Sequence, residues 1–321
     1  MAKRKNRKSS GLKVFLFFLL IVLLAVYFYK REYFSDVKDY VKSYAENLIE
    51  DAASFSSDEK IATDSGKKYI LLPQGLELPL CPAKNHAEDH EIRNYNNYSI
   101  CYRESYEQAE WSAYSLSYQQ LEKKAARSND FRPDGEISTG SAALSDYKGS
   151  GYDRGHLTPA ADMAFSEDAM SETFYMSNMS PQTAQFNRGI WKDLEAQVRL
   201  WAARYGKVYV VSGPLLEKPA SSYKTIGENH VVVPEAYYKV ILVPLYEDEE
   251  DKASLEDSAA VTAFAFIIPN QKCEEDFWHY AVSVDEVEKR TGLDFYSLLP
   301  DDVEDSVEGK KCHEFDDVSY F

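Results

Sequence analysis

The stretch that decides the fold runs from Gly149 to Trp201 and reads GSGYDRGHLTPAADMAFSEDAMSETFYMSNMSPQTAQFNRGIWKDLEAQVRLW. Within it, His156 follows an arginine and a glycine in the tetrapeptide DRGH, and Asn178 and Asn187 come later. An imidazole can take up a proton near neutral pH because its ordinary pKa is about 6.5. An amide oxygen is a hard ligand that suits Mg²⁺. The stretch therefore predicts a metal-dependent phosphodiesterase centre.

The end of this stretch has helical periodicity and predicts a helix from about Arg188 to Arg204. Its apolar side chains share one face, as in an amphipathic helix, and they are Trp191, Leu194, Val198 and Trp201. Glu195 and Arg199 lie on a neighbouring polar edge as an i,i+4 pair with the acid first. Glu195 is about 12 Å of helix axis beyond Asn187, so it would reach an ion at Asn187 only through a bound water.

These residues also have ordinary structural explanations. A lone histidine such as His156 is more often a satisfied structural residue than a base. An asparagine at the start of a helix, as predicted for Asn187, is usually an N-cap. An exposed i,i+4 ion pair contributes only a few tenths of a kcal/mol. The functional interpretation depends on His156, Asn187 and the Glu195–Arg199 pair occurring together in one stretch.

Three segments occur in order: YDRGHLTPAADM, ETFYMSNMSPQ and FNRGIWKDLEAQVRLWA. Together they resemble the non-specific DNA/RNA endonucleases of the ββα-metal (His-Me finger) superfamily, which includes endonuclease G. The likeness is strong over residues 149–203 and weaker from about Ser99 to Pro269. It implies an α+β fold, with a mixed α/β body, a central antiparallel sheet and a ββα-metal motif carrying His156 and Asn187.

The resemblance also implies an activity. A member of this family hydrolyses phosphodiester bonds of DNA and RNA without sequence preference and leaves 5′-phosphate ends. His156 would be the general base, and Asn187 would be the protein ligand of one hydrated Mg²⁺, for which Mn²⁺ could substitute. Asn178 would position His156 or the water on the metal.

The remaining implied roles belong to an acid and three arginines. Glu195 would hold a metal-bound water, and Arg199 would support it. Arg154 of the DRGH tetrapeptide and Arg127 would stabilise the pentavalent phosphate.

The charge of the chain argues against a polymer substrate unless basic groups cluster. The formal net charge is −17, whereas contact with phosphates needs Lys and Arg. We therefore expect one positive cleft formed by Arg127, Arg132, Arg154, Arg188 and Arg199. Two alternatives stay open: a surface protein that binds nucleic acid with an inert site, and a phosphodiesterase acting on small diesters or lipid head groups.

The N-terminal segment predicts a membrane anchor. Residues 14–29 are apolar and follow a basic segment, and the apolar run ends in aromatic residues and cations, as at a membrane interface. We expect a basic cytoplasmic tail at 1–13, a transmembrane signal anchor at 14–29, a stalk at 30–68, a nuclease domain at 69–300 and an acidic, loose tail at 301–321. The catalytic domain would then be extracytoplasmic, periplasmic or extracellular, and tethered to the membrane through its N-terminal helix. A homodimer is one of the oligomeric states left open.

Apolar runs rich in β-branched and aromatic residues predict the strands. They are Tyr98–Tyr102, Glu110–Tyr118, Lys207–Ser212, Val231–Pro234 paired with Tyr237–Val243, and Val261–Ile268. We expect a short helix at Val282–Gly292, loops at Ala142–Gly151 and Glu247–Asp251, and a helix or irregular segment at Gln119–Arg127.

The four cysteines, Cys81, Cys101, Cys273 and Cys312, have no CxxC spacing, which makes a zinc site an unfavoured interpretation. Disulfides and buried thiols both stay open.

Overall fold

A seven-stranded antiparallel sheet forms the centre of the molecule in a computed structural model of the chain. The structure describes residues 61–64, 67–80, 89–245, 257–258 and 260–311. The sheet has the strand order β14-β13-β11-β8-β5-β4-β3. Its strands are β3 (His90–Asn94), β4 (Ser99–Arg103), β5 (Gln108–Ser117), β8 (Lys207–Pro214), β11 (Ala236–Leu245), β13 (Ala260–Pro269) and β14 (Ala281–Val282). The predicted mixed fold with a central antiparallel sheet is confirmed.

The central strands are apolar on both sides because both faces of the sheet are covered. In β11, eight consecutive residues, from Tyr237 to Pro244, are buried. Strands with only one buried face alternate between apolar and polar residues, whereas doubly covered strands read as continuous apolar runs. The covering of both faces therefore explains the long apolar runs from which the strands were predicted.

One face of the sheet packs against the helix α4 (Ile190–Tyr205). The predicted apolar stripe lies on this interface, where Leu194 and Val198 are fully buried. The Trp201 ring stacks on the ring of Phe264 in β13, with centroids 4.5 Å apart. This packing fixes α4 against the sheet.

The opposite face packs against two C-terminal helices, α5 (Val284–Thr291) and α6 (Asp301–Glu308). Val284 and Val287 of α5 and Val307 of α6 belong to the same core cluster as Trp111 and Tyr238 of the sheet. The predicted helix at Val282–Gly292 is α5, so this prediction is close. The segment predicted as a loose tail begins with α6, and for these residues the prediction is wrong, because Val307 is buried against the core.

Smaller elements surround the central sheet. Three short helices lie between β5 and α4, namely α1 (Leu144–Tyr147), α2 (Glu167–Glu172) and α3 (Ala184–Asn187). The described residues form three further sheets. In the first, β1 (Ile61–Asp64) pairs with β2 (Lys67–Leu71), and β2 pairs with β12 (Asp257–Ser258). The second pairs β6 (Asp153–His156) with β7 (Met179–Gln182), and the third pairs β9 (Thr225–Ile226) with β10 (Val231–Val232). Short 3-10 helices occupy Glu104–Tyr106, Tyr118–Leu121, Met176–Asn178, Ala220–Ser222 and Phe277–Tyr280.

Two local predictions differ from the structure. Val231–Val232 pair with β9 and not with Tyr237–Val243, whose strand β11 pairs with β8 and β13. The predicted loop Ala142–Gly151 contains α1. Its Asp146 carboxylate accepts the backbone N–H of Ala143, 2.8 Å away, and this bond closes the first turn.

Several predictions concern residues outside the described part of the chain. They are the membrane anchor at 14–29, the stalk up to residue 60, the Glu247–Asp251 loop, Cys81 and Cys312. In the segments that the structure does describe, no helix combines the length and the apolar character needed to cross a membrane. Cys101 is buried in β4 and Cys273 is half-buried, and the disulfide question stays open.

The α4 interface predicts a large difference between two leucine substitutions on the same helix. Leu194 is fully buried, whereas 62% of Leu200 is exposed. Leu194→Ala should lower the free energy of unfolding by about 3–5 kcal/mol, because it removes apolar burial and leaves a cavity. Leu200→Ala should change it by about 0.5 kcal/mol or less. Urea denaturation measures both, and equal effects would contradict the packing of α4 described here.

Candidate active site

The deciding stretch folds into two antiparallel strands followed by a helix. His156 is the last residue of β6 and lies opposite Met179 of β7. After β7, Thr183 caps α3 by accepting the N–H of Phe186 with its side chain. Asn187 is the last residue of α3. Strand, strand and helix thus place His156 and Asn187 in one ββα unit.

The helix predicted from Arg188 to Arg204 starts later than expected. Helix α3 ends at Asn187, and α4 begins at Ile190 with Gly189 as its N-cap. A Cβ atom at Gly189 would collide with the backbone carbonyl of Gln185, so this break needs a glycine. Asn187 therefore ends one helix and does not cap the next, which is why its amide is available for other contacts.

Asp153 holds the amide of Asn187 in place. Nδ2 of Asn187 donates to Oδ2 of Asp153 over 3.0 Å, and Arg188 donates to both carboxylate oxygens over 2.8 and 2.7 Å. Burial alone would raise the pKa of Asp153, but the hydrogen bonds from Arg188 and Asn187 hold it below its ordinary value. With Nδ2 directed at Asp153, the amide oxygen of Asn187 is left as an acceptor. It is a hard oxygen of the kind that Mg²⁺ binds.

His156 packs against two aromatic rings, which also contact each other. The imidazole centroid is 5.8 Å from that of Phe131 and 4.9 Å from that of Phe174, and only 8% of the residue is exposed. Among the described residues, the buried Nε2 atom has no hydrogen-bond partner. Burial, with smaller contributions from Arg127 and Arg154, lowers the pKa of His156 to about 3. The imidazole is therefore neutral at pH 7 and can accept a proton.

Two arginines stack on the outer sides of the same rings. The guanidinium carbon of Arg154 lies 4.0 Å above the ring centroid of Phe131, and that of Arg127 lies 4.9 Å above Phe174. Stacking of this kind is attractive and leaves the N–H groups of the guanidinium free to bind anions. Arg127 also donates from Nε to Asn129 Oδ1 over 3.0 Å. The rings thus position two cations beside the histidine.

Phe131, the two arginines and Asn187 line a cleft of about 680 Å³. His156 lies against Phe131 and does not itself line the cleft. The cleft lining includes the cations Arg127, Lys148, Arg154 and Arg188, the carboxylate of Asp153, and the amides of Asn129 and Asn187. The basic groups outnumber the acidic ones, in contrast to the negative charge of the whole chain. Three of the five arginines predicted to converge therefore line one cleft.

The other two arginines have partners elsewhere. Arg132 donates to Asp130 and to the carbonyl of Ser171, and it stacks on the ring of Tyr175. Arg199 donates to Asp162 over 2.6 Å. Neither side chain lines the cleft, so the predicted convergence is incomplete.

Asn178 is fully buried and supports the backbone that follows His156. Its Oδ1 accepts the N–H of Thr158 over 2.9 Å, and its Nδ2 donates to the carbonyls of Thr158 and Thr173 over 3.0 and 2.9 Å. The backbone carbonyl of Asn178 accepts the N–H of Leu157. The side chain therefore fixes the segment after β6 to the end of α2 and does not point into the cleft.

Gly155 of the DRGH tetrapeptide lies against the side chain of Gln182 in β7. A Cβ atom at Gly155 would occupy the same space as the Gln182 side chain. The Gln182 side chain therefore covers Gly155, and a side chain at position 155 would have to displace it.

Glu195 belongs to a buried network of charges on α4 and the central sheet. Burial raises the pKa of Glu195 to about 7, although the nearby Lys239 acts in the opposite direction. Arg199 makes its close ion pair with the fully buried Asp162 and not with Glu195. Lys239 is also fully buried, donates to Ser212 and lies 4.5 Å from the ring centroid of Trp191. The Glu195 and Arg199 side chains are thus part of an interior network and not the exposed ion pair of the ordinary structural explanation.

Arg127 connects this network to the histidine. Its charge acts both on His156 and on Glu195. Glu195 therefore acts electrostatically on Arg127, one of the two cations beside His156.

Sequence reasoning missed three residues of this arrangement. They are Asp153, Asp162 and Lys239. Asp153 and Asp162 lie inside the quoted segment YDRGHLTPAADM, but the sequence gives no sign of the partner of either carboxylate. Lys239 could have been identified from the sequence, because a lysine inside an apolar strand must be buried and must find polar partners.

The chain is similar to known nucleases. Zebrafish mitochondrial nuclease EXOG is 37% identical over 220 residues, which cover 65% of this chain and 62% of the relative. Human mitochondrial endonuclease G is 31% identical over 216 residues, or 64% of this chain and 69% of the relative. The crystal structure of an EndoG/EndoGI complex, described as showing the mechanism of EndoG inhibition, matches with a TM-score of 0.56 and 32% identity over 64% of this chain and 85% of that chain. The chain spans about three fifths of the length of the EXOG relatives.

These relatives overturn the predicted location. An extracytoplasmic catalytic domain on a membrane anchor was expected, but the similar nucleases are named as mitochondrial. That prediction is wrong. It depended on an apolar run that would extend about 24 Å as a helix, which is shorter than the hydrocarbon core of about 30 Å that a spanning helix must cross.

A family model described as DNA/RNA non-specific endonuclease matches residues 79–302. This range contains the ββα unit, the cleft and the buried network. It also covers more than half of the chain, and the nuclease class predicted from the sequence is the class of this family. The chain belongs to the DNA/RNA non-specific endonuclease family.

Proposed function

We propose that this protein is a Mg²⁺-dependent endonuclease that hydrolyses phosphodiester bonds of DNA and RNA without sequence preference and leaves 5′-phosphate ends. Its catalytic centre is the cleft beside His156 and Asn187, within a nuclease domain at 69–300. The observation that carries the proposal is the neutral imidazole of His156. It packs against the rings of Phe131 and Phe174, and each ring also carries an arginine that lines the cleft.

His156 acts as the general base. Its buried Nε2 has no partner among the described residues, so it can accept the proton of an attacking water. A pKa of about 3 favours the neutral form but makes a weak base. A phosphodiester anion in the cleft would offset the charges of Arg127 and Arg154. Substrate binding would therefore raise the basicity of His156 when the proton must move.

Arg127 and Arg154 stabilise the phosphate. Negative charge accumulates on the phosphate oxygens as water attacks, and guanidinium groups held in place by aromatic rings can receive it without reorganisation. The same cations add to the larger effect of burial in lowering the pKa of His156. The two arginines thus serve both the base and the transition state.

Asn187 holds the metal ion. Its amide nitrogen is used by Asp153, and its amide oxygen is the single protein ligand that a largely hydrated Mg²⁺, or Mn²⁺ in its place, would need. When bound, the ion would place positive charge on the phosphate oxygens and the leaving oxygen. Asp153 keeps the ligand oriented, a role typical of residues around a metal ligand.

Asn178, Glu195 and Arg199 position the site. Asn178 fixes the backbone after His156, and Arg199 anchors α4 to the buried Asp162. Glu195 attracts Arg127 from behind and keeps that guanidinium beside the histidine. These three residues act through other residues of the site.

Substitution of the base or the metal ligand should abolish most of the activity. His156→Ala and Asn187→Ala should each lower kcat on plasmid DNA with Mg²⁺ by about 10²-fold or more, because each removes transition-state stabilisation. His279→Ala, a change of an exposed histidine, should leave the rate within about twofold. Full activity in His156→Ala would contradict the mechanism.

Lys148 is a cleft cation without a proposed catalytic role, so it should matter for a polymer and not for a small substrate. Lys148 lines the cleft and is exposed. Lys148→Gln should reduce the salt dependence of DNA binding by about one unit of slope in a log–log plot, because one phosphate contact is lost. The turnover of a chromogenic small phosphodiester should stay unchanged. Lys289→Gln, on the exposed side of α5, is the control, and an equal effect of both variants on DNA would contradict this cleft as the polymer site.

The low pKa of His156 predicts a pH dependence of stability. The folded state keeps this imidazole neutral down to about pH 3, whereas the unfolded chain protonates it near pH 6.5. Between these values the unfolded state binds more protons, so the free energy of unfolding falls as the pH falls, by at most about 1.4 kcal/mol per pH unit for this group. His156→Gln should remove this part of the slope in urea denaturation from pH 7 to pH 4, and His279→Gln should not. An unchanged slope in His156→Gln would show that the imidazole is not kept neutral.

A further inference from the structure

Helices α5 and α6 bring three carboxylates together on the face of the sheet opposite α4. Asp285 and Glu288 lie on α5, one turn apart, and Glu308 is the last residue of α6. One oxygen from each of these side chains lies within 4.8 Å of the other two. A Cβ built at Gly309, just after α6, would lie 3.6 Å from the Asp285 carboxylate, which shows how closely the end of α6 approaches α5.

Glu308 is the unusual member of this cluster, because only 7% of it is exposed. Its Oε1 atom is buried and has no hydrogen-bond partner among the described residues. The same holds for Oε1 of Glu304, one turn earlier on α6. A buried carboxylate oxygen without a partner is costly, so its presence calls for a ligand or a proton.

The groups around Glu308 are themselves acidic. Burial, and then the charges of Glu288, Glu304, Asp285 and Asp294, raise the pKa of Glu308 to about 9. Glu288 uses Oε1 to accept the backbone N–H of Phe295 over 2.8 Å and keeps a second oxygen. The field at the cluster is negative from both helices.

We propose that Asp285, Glu288 and Glu308 form a binding site for a divalent cation of the calcium type. Ca²⁺ takes six to eight oxygen ligands at about 2.3–2.6 Å in flexible geometry, so the oxygens of one site lie up to about 5 Å apart. The spacing of the three carboxylates fits this range. Mg²⁺ fits less well, because it requires shorter and nearly ideal octahedral contacts and gives up its waters reluctantly.

This cation would fasten α6 to α5. The two helices cover the sheet through Val284, Val287 and Val307, but their facing carboxylates repel each other. A bound cation replaces this repulsion with shared coordination. The site is separate from the cleft at Asn187 and would act on stability and not on the reaction.

Thermal denaturation of the full chain tests the proposal. Because the cation binds only the folded state, saturating Ca²⁺ in place of EDTA should raise the Tm by about 5 °C or more. The rise should persist in Asn187→Ala, which removes the ligand in the cleft. It should be lost in Glu308→Gln, which keeps the shape of the side chain and removes its charge. Asp302→Asn, an exposed change of the same charge on α6, should keep the rise.

Binding measurements complete the test. Equilibrium dialysis of Asn187→Ala with ⁴⁵Ca²⁺ should give one bound ion per chain, and none after the further change Glu308→Gln. A Ca²⁺-dependent rise in Tm that survives Glu308→Gln would overturn the proposal, because the ion would then bind elsewhere. Absence of bound Ca²⁺ in Asn187→Ala would also overturn it and would indicate that Glu308 is simply protonated. Neither result bears on nuclease activity, so the two proposals fail independently.

Discussion

The contact between Asp153 and the Asn187–Arg188 pair holds the candidate site together. It connects the first residue of β6 to the end of α3 across 34 positions of sequence, and it has both a hydrogen bond and an ion pair. With this contact, the amide of Asn187 and the strand that carries His156 form one unit. Without it, the glycine break between α3 and α4 would leave the end of α3 without a side-chain anchor to β6.

The charge of the cleft differs in sign from the net charge of the whole chain. The net charge of −17 is unfavourable for contact with phosphates, yet the cleft collects four cations and one carboxylate. Two of the cations are stacked on aromatic rings, which hold them without neutralising them. Behind the cleft, Asp162 neutralises Arg199 in the interior. The described cleft therefore carries more basic than acidic groups although the whole chain is acidic.

Much of this arrangement could be predicted from the sequence, for identifiable reasons. Continuous apolar runs such as Val261–Ile268 predicted strands, and the stripe from Trp191 to Trp201 predicted the buried face of α4. The need for a glycine at position 189 could not be predicted. It comes from the backbone carbonyl of Gln185, which a Cβ at position 189 would meet only in the folded chain. The partner of Arg199 was mistaken because helical spacing reports neighbours on one helix, whereas Asp162 comes from a distant loop. The N-terminal pattern misled because hydropathy alone does not report a protein's location.

The close packing of Gly155 against Gln182 links two positions that are far apart in the chain. The glutamine side chain fills the volume that any larger residue at 155 would need, and it is fully buried. A larger residue at position 155 would therefore need a smaller one at position 182, which lies diagonally across the strand pair because Gly155 is opposite Ser180. In a mutational library, tolerated substitutions at position 155 should occur together with substitutions at position 182. The residues tolerated within the DRGH tetrapeptide thus depend on a residue outside it.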